Sequence, residues 1–109
     1  MTERPKTENL LDRVRLAVEA GNYIYSAHAR QRQQQRLNVT DGDMKNAIRT
    51  GWHEKQKDEW SKEFQDWNYA IRGNSLDGDK LRVCIALQEI DGNSIVIVTL
   101  INLDKEDES

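Results

Sequence analysis

The run Ser94-Ile95-Val96-Ile97-Val98-Thr99-Leu100-Ile101 constrains the fold most, because it is apolar at both parities of a two-residue period. A half-buried strand alternates apolar with polar residues, so this run reads as an internal strand covered on both faces. Two earlier runs carry the same period with one more polar side. Trp67, Tyr69 and Ile71 alternate with Asn68, Ala70 and Arg72, and Leu81, Val83, Ile85 and Leu87 alternate with Arg82, Cys84, Ala86 and Gln88. Asp77-Gly78 and Asp91-Gly92 separate the three runs with residues that hairpin turns favour.

Upstream the period is helical. Leu10, Leu11, Val14, Ala17 and Val18 follow Thr7, a fair N-cap, and Gly21-Asn22 stops the helix. A second helix is predicted from Ser26 to about Arg36, with little apolar surface beyond Ala27 and Ala29. A third opens on a capping box, Thr40-Asp41-Gly42-Asp43, with Val39 placed to staple onto Met44 and Gly51 as its stop. From 52 to 66 two readings stand. Trp60, Phe64 and Trp67 at i, i+4 and i+7 suit a short helix, and a strand and loop flanked by anchoring aromatics suits the segment equally. The expected fold is α+β: about three N-terminal helices packed on a curled antiparallel sheet of three to four strands. One domain is expected over 1–103, with 104–109 an acidic disordered tail.

The net charge of −3 argues against a nucleic-acid binder, but its distribution does not. Residues 28–57 hold seven Lys and Arg against three acids, whereas residues 58–103 are net −4. Such a basic block can serve as a phosphate-binding patch, and it can equally be a solvated helix face. The single Cys84 makes no internal disulfide and reads as a core thiol. No apolar run reaches the ~20 residues of a membrane span, and the polar start lacks a signal-peptide core, so a cytoplasmic location is expected.

There is no glycine-rich phosphate loop, no HExxH, no paired cysteines and no nucleophile elbow, and two histidines with one cysteine make a zinc site improbable. No metal or cofactor is expected. His28, Arg32 and Arg36 are spaced four apart and share a helix face. An imidazole beside guanidiniums is what RNA cleavage needs, as a proton shuttle with fixed positive charge on the phosphate. The same face could instead pair with carboxylates of the sheet. In Trp52-His53-Glu54-Lys55-Gln56-Lys57, a strand would put His53, Lys55 and Lys57 on one side. Tyr69, Arg72 and Arg82 are further candidates, the arginines on adjacent strands around Asp77-Gly78.

Tyr25-Ser26-Ala27-His28-Ala29, with Arg32, Arg36, Val39-Thr40, Met44 and Ile48-Arg49-Thr50-Gly51, resembles an uncharacterised bacterial domain family of pattern S-x-H-A-x-x-R-x-x-x-R. That family is similar in layout to the MqsR, BrnT and RelE toxins, over about residues 8–103. The resemblance implies a RelE-like fold and metal-independent mRNA cleavage, on or off the ribosome, by the toxin of a toxin–antitoxin pair. It implies RNA and an antitoxin protein as partners. By position Lys57, with Lys55 as second choice, matches a catalytic lysine, and Asn68 a glutamine. Arg82 stands at the tyrosine position and Ile101 at a final-strand lysine. His28, Arg32, Arg36 and Lys57 are thus the expected catalytic residues, and Lys55, Asn68, Arg72 and Arg82 the expected substrate-binding ones. Without the tyrosine and lysine, a non-catalytic protein- or RNA-binding module is the alternative.

Overall fold

The computed structural model describes residues 5–27, 39–62, 65–90 and 93–106. Helix α1 spans Leu10–Glu19 and turns Leu10, Val14 and Val18 inward. Its end follows the sequence. Gly21 takes φ +79°, its N–H donates to the Val18 carbonyl at 3.1 Å, and the Asn22 N–H reaches Ala17 at 2.8 Å. Both bonds satisfy carbonyls that a helix end leaves open. Its start does not follow. The N-cap is Asn9, in a left-handed conformation without a side-chain cap, and the Thr7 N–H instead donates to the Tyr69 hydroxyl at 2.8 Å.

Helix α2, Asp41–Thr50, carries the predicted capping box: Thr40 Oγ1 accepts from the Asp43 N–H at 3.1 Å, and Asp43 Oδ2 accepts from the Thr40 N–H at 2.9 Å. Asp43 accepts a further bond from the Leu76 N–H at 2.9 Å, so the box also anchors a hairpin turn. At the other end, the Arg15 guanidinium donates to the carbonyls of Ile48 and Gly51, at 3.0 and 3.3 Å. The two helices are thereby joined by groups that helix termini leave unsatisfied.

The strands are β1 Tyr23–Tyr25, β2 Trp52–His53, β3 Glu59–Ser61, β4 Asp66–Asn74, β5 Lys80–Ile90 and β6 Asn93–Asn102. They form one sheet in the order β1-β6-β5-β4-β2, with β3 also on β4. Strand β6 is internal, as expected, flanked by β1 and β5. Tyr69, Ile71, Leu81, Val83, Ile85 and Leu100 form the core with α1 and with Met44, Ala47 and Ile48 of α2. The Asp77-Gly78 turn closes β4 onto β5, with the Ser75 N–H on the Asp79 carbonyl at 2.8 Å. The second expected turn, Asp91-Gly92, lies outside the described residues. A helical turn, α3 at Leu103–Glu106, follows β6, and Asp104 accepts the Lys80 N–H at 2.9 Å. Among the described residues no helix is long and apolar enough to cross a membrane.

The fold is α+β, but the expected RelE-like layout of three N-terminal helices on three or four antiparallel strands is not the one observed. Two helices are described ahead of the main hairpins, and most of the predicted second helix lies outside the described residues. Among the described residues the sheet has six strands, and β1 pairs with β6 in parallel, Tyr23 opposite Val96 and Tyr25 opposite Val98. A three-residue parallel strand whose partner lies seven tens of residues away leaves no local pattern to read. The segment after Gly51 resolves as strand and loop, with β2 and β3 both pairing antiparallel to β4. Trp60 and Trp67 meet across that pair edge to face, ring centres 5.6 Å apart.

Helix α2 lies directly on β4. A β-carbon on Gly73 would meet the Ala47 Cα at 2.7 Å and its carbonyl closer still. Gly73→Ala is therefore expected to destabilise by about 3 kcal/mol or more, since backbone cannot yield as side chains do. Thr40→Ala should cost only about 1 kcal/mol, the usual worth of an N-cap. Urea unfolding midpoints measure both, and equal losses would contradict this ranking.

Candidate functional site

Strand β2 is two residues long, yet it places two polar centres. His53 points to the helix-covered face of the sheet and packs edge to face on Tyr69, ring centres 5.8 Å apart. The next residue, Glu54, lies on the opposite side, its N–H held by the Ala70 carbonyl at 2.8 Å. Glu54 is 3% exposed, which a carboxylate tolerates only with partners. Arg82 Nε donates to its Oε1 at 2.8 Å and Arg72 Nη1 to its Oε2 at 3.2 Å. The two arginines stand directly opposite each other on β4 and β5. Like charges so placed repel, and the carboxylate between them offsets that repulsion. The hydrogen bond from Arg82, with the charges of both guanidiniums, holds the Glu54 carboxyl below its ordinary range despite burial.

On this face the sheet forms an open groove of about 530 Å³. Its floor is built of small side chains, among them Ala70, Cys84 and Ala86, while Lys57, Asn68 and Arg82 supply polar and cationic groups. Ser26 and Thr99 also line it, their hydroxyls 2.9 Å apart. Cys84 is not the core thiol expected from its neighbours. It is half-buried on the groove floor, and burial pushes its thiol up, away from the reactive thiolate.

Of the residues singled out in the sequence, Lys57, Asn68 and Arg82 come together in this groove, and Arg72 sits beside them on Glu54. Lys55 does not join them. Residues 55–57 form a 3-10 turn instead of a strand, and Lys55 lines a separate cavity with His53 and residues 6–12. Three residues per turn cannot keep 55 and 57 on one side as a two-residue period would. His28, Arg32 and Arg36 lie outside the described residues. Comparison with protein families, with curated proteins and with solved structures finds no match.

Two residues that matter went unread in the sequence, Glu54 and Asp58. The sole acid in the stretch 52–57 was a faint signal for Glu54. Asp58 had none, since its partners come from an N-terminal lysine and two strands. Its carboxylate is fully enclosed and accepts from Lys6 Nζ at 3.1 Å, His53 Nε2 at 2.8 Å and the Ala70 N–H at 2.9 Å.

Glu54→Gln keeps the shape of the clamp and removes its charge. A loss of about 2 kcal/mol at pH 7 is expected, moderated because Arg72 and Arg82 stay 28% and 20% exposed. Because the folded carboxyl titrates below the unfolded one, the charge contribution is present above the unfolded value of about 4.3. It is lost as pH falls through the lower folded value. Urea unfolding of wild type and variant should therefore converge in acid, and a gap independent of pH would refute charge pairing as the source.

Proposed function

We propose that the chain is a metal-independent endoribonuclease that seats single-stranded RNA in the sheet groove. The supporting observation is the convergence of Lys57, Asn68 and Arg82, from three separate elements, on one groove. Lys57, Arg82 and the neighbouring Arg72 give three cations against Glu54 and Glu59, a local excess in a chain that is net negative. In this reading Lys57 and Arg82 hold the non-bridging oxygens of a phosphodiester and Asn68 hydrogen-bonds a sugar or base edge. The small floor residues leave room for the backbone of the substrate.

Cleavage requires one proton removed and one supplied. A base takes the proton of a ribose 2′-hydroxyl as its oxygen bonds to phosphorus. The bond from phosphorus to the 5′-oxygen breaks, and an acid protonates that oxygen. The products are a 2′,3′-cyclic phosphate and a 5′-hydroxyl. His28 takes the acid–base role on the chemistry read from the sequence, with Arg32 and Arg36 as further phosphate contacts. Ser26, two residues ahead of His28 in the chain, lines the groove. The protein then acts on mRNA in the cytoplasm as the toxin of a toxin–antitoxin pair, and an antitoxin inhibits it by filling the groove.

The pairing of Arg72 and Arg82 with Glu54 favours a second reading, in which the groove binds RNA without cutting it. End-labelled single-stranded RNA incubated with the purified chain in EDTA separates the two. Cleavage with cyclic-phosphate ends is expected, reduced about 10²–10⁴-fold in His28→Ala. Lys57→Ala should weaken binding and lower the salt slope by about 0.7, the worth of one phosphate contact on a single strand. Binding that responds to Lys57→Ala, without cleavage, selects the second reading. Neither binding nor cleavage overturns both.

A further inference from the structure

Leu16, Leu76 and Trp52 are large apolar residues left exposed, and a single such residue on a surface needs no explanation. Trp52 differs from the two leucines in its place and its chemistry. Trp60 and Trp67 pack on each other edge to face and Tyr69 lies in the core, whereas Trp52 keeps 51% of its surface open. Tryptophan is highly buried on average, so that exposure forgoes a large apolar gain.

The strand pairings fix where the indole stands. Trp52 pairs with Arg72, Arg72 with Arg82, and Arg82 with Ile101, so the four form one row across β2, β4, β5 and β6. Residues directly opposite on neighbouring strands share a face. Arg82 and Ile101 line the sheet groove, so Trp52 is on the groove side, at the end of the row. Strands lie about 4.8 Å apart, which sets the Trp52 backbone about 10 Å from that of Arg82. Gly51, next in the chain, lies against the Arg72 carbonyl and holds the main chain at that point.

The charge beside the indole is positive. Two guanidiniums bind one carboxylate, and Glu54 is the buried member while both arginines keep part of their surface exposed. A ligand approaching this row meets cations and an aromatic face, not the acid. Cations that follow a phosphate backbone beside an aromatic ring that takes a base are the combination that holds single-stranded nucleic acid. A base inside a duplex is stacked on both sides and offers no face to a side chain. We infer that Trp52 stacks an unpaired base of the RNA strand whose phosphate is held at Arg82, so that the substrate site runs past the groove along the row to β2. This inference rests on the RNA reading of the groove and adds to it a demand for an unpaired base beside the held phosphate.

Fluorescein-labelled 2′-O-methyl RNA lacks the 2′-hydroxyl nucleophile, so its anisotropy reads binding without cleavage. It is measured as a single strand and annealed to its complement. Trp52→Ala should weaken single-strand binding about 5–150-fold, the worth of one stacked base, and leave duplex affinity unchanged. Its salt slope should match wild type, since stacking displaces no counterion, whereas Lys57→Ala lowers the slope. Trp52→Phe keeps an aromatic face and should retain most of the affinity. Trp52→Leu keeps apolar area without that face and should bind as Trp52→Ala does. Circular dichroism checks that each variant is folded. If wild type binds and Trp52→Ala binds equally well, or Trp52→Leu matches Trp52→Phe, the stacking role is overturned while the groove reading stands. A wild-type dimer that Trp52→Ala dissociates, with RNA affinity unchanged, assigns the indole to a contact between copies and also overturns it. Absence of wild-type binding to RNA overturns both.

Discussion

The contact on which most of the architecture depends is backbone on backbone, where α2 crosses β4 at Ala47 and Gly73. Helices usually stand off a sheet by the depth of two side-chain layers. Here glycine on the strand and alanine on the helix let the two main chains touch, and Gly51, at the end of the helix, is pressed against the Arg72 carbonyl in the same way. The close approach decides where the chain emerges. It leaves the helix already beside β4, so Trp52 and His53 fall into register with Arg72 and Ile71 without an intervening loop. Every polar group of interest from His53 to Asp58 inherits its position from that exit.

Electrostatics then settles what this edge of the sheet can hold. Burying a lone carboxylate is costly, and both Glu54 and Asp58 are buried. Each is retained because cations and N–H groups from other elements converge on it: two sheet arginines on Glu54, and a lysine, an imidazole and a strand amide on Asp58. The same pattern appears where Tyr23 and Tyr25 of β1 donate to Asp41 at the start of α2, tying the parallel edge strand to a helix N-terminus. Acids in this chain act as nodes that join distant segments.

Local chemistry was legible and distant pairing was not. The capping box at Thr40, the helix stop at Gly21 and the Asp77-Gly78 turn depend on residues within a few positions of one another, and all three are present; the two-sided apolar run of β6 announced its internal position, though not the strand that flanks it. The start of α1 was misread because the helix begins at Leu10 behind Asn9, while the Thr7 backbone is anchored on Tyr69, a partner no local pattern announces. Strand β1 escaped notice because three residues carry too little periodicity, and its partners follow some seventy residues later. The groove was half legible: Lys57, Asn68 and Arg82 were named for their chemistry, but the carboxylate that orders the arginines was not. Lys55 was placed with Lys57 by assuming a strand, and one 3-10 turn was enough to part them.

Strand β2 also bears on how this protein can change over generations. Neighbouring residues along a strand point to opposite faces, so the imidazole and the Glu54 carboxylate are consecutive in the chain yet serve opposite sides of the sheet. Loss or gain of one codon between Gly51 and Glu54 would exchange the two faces, offering a carboxylate to Tyr69 and an imidazole to the arginines. Point substitutions can alter either centre alone, but a change of length there alters both together. Within this segment the exposed positions 55–57 should accordingly tolerate variation in residue identity far better than variation in length.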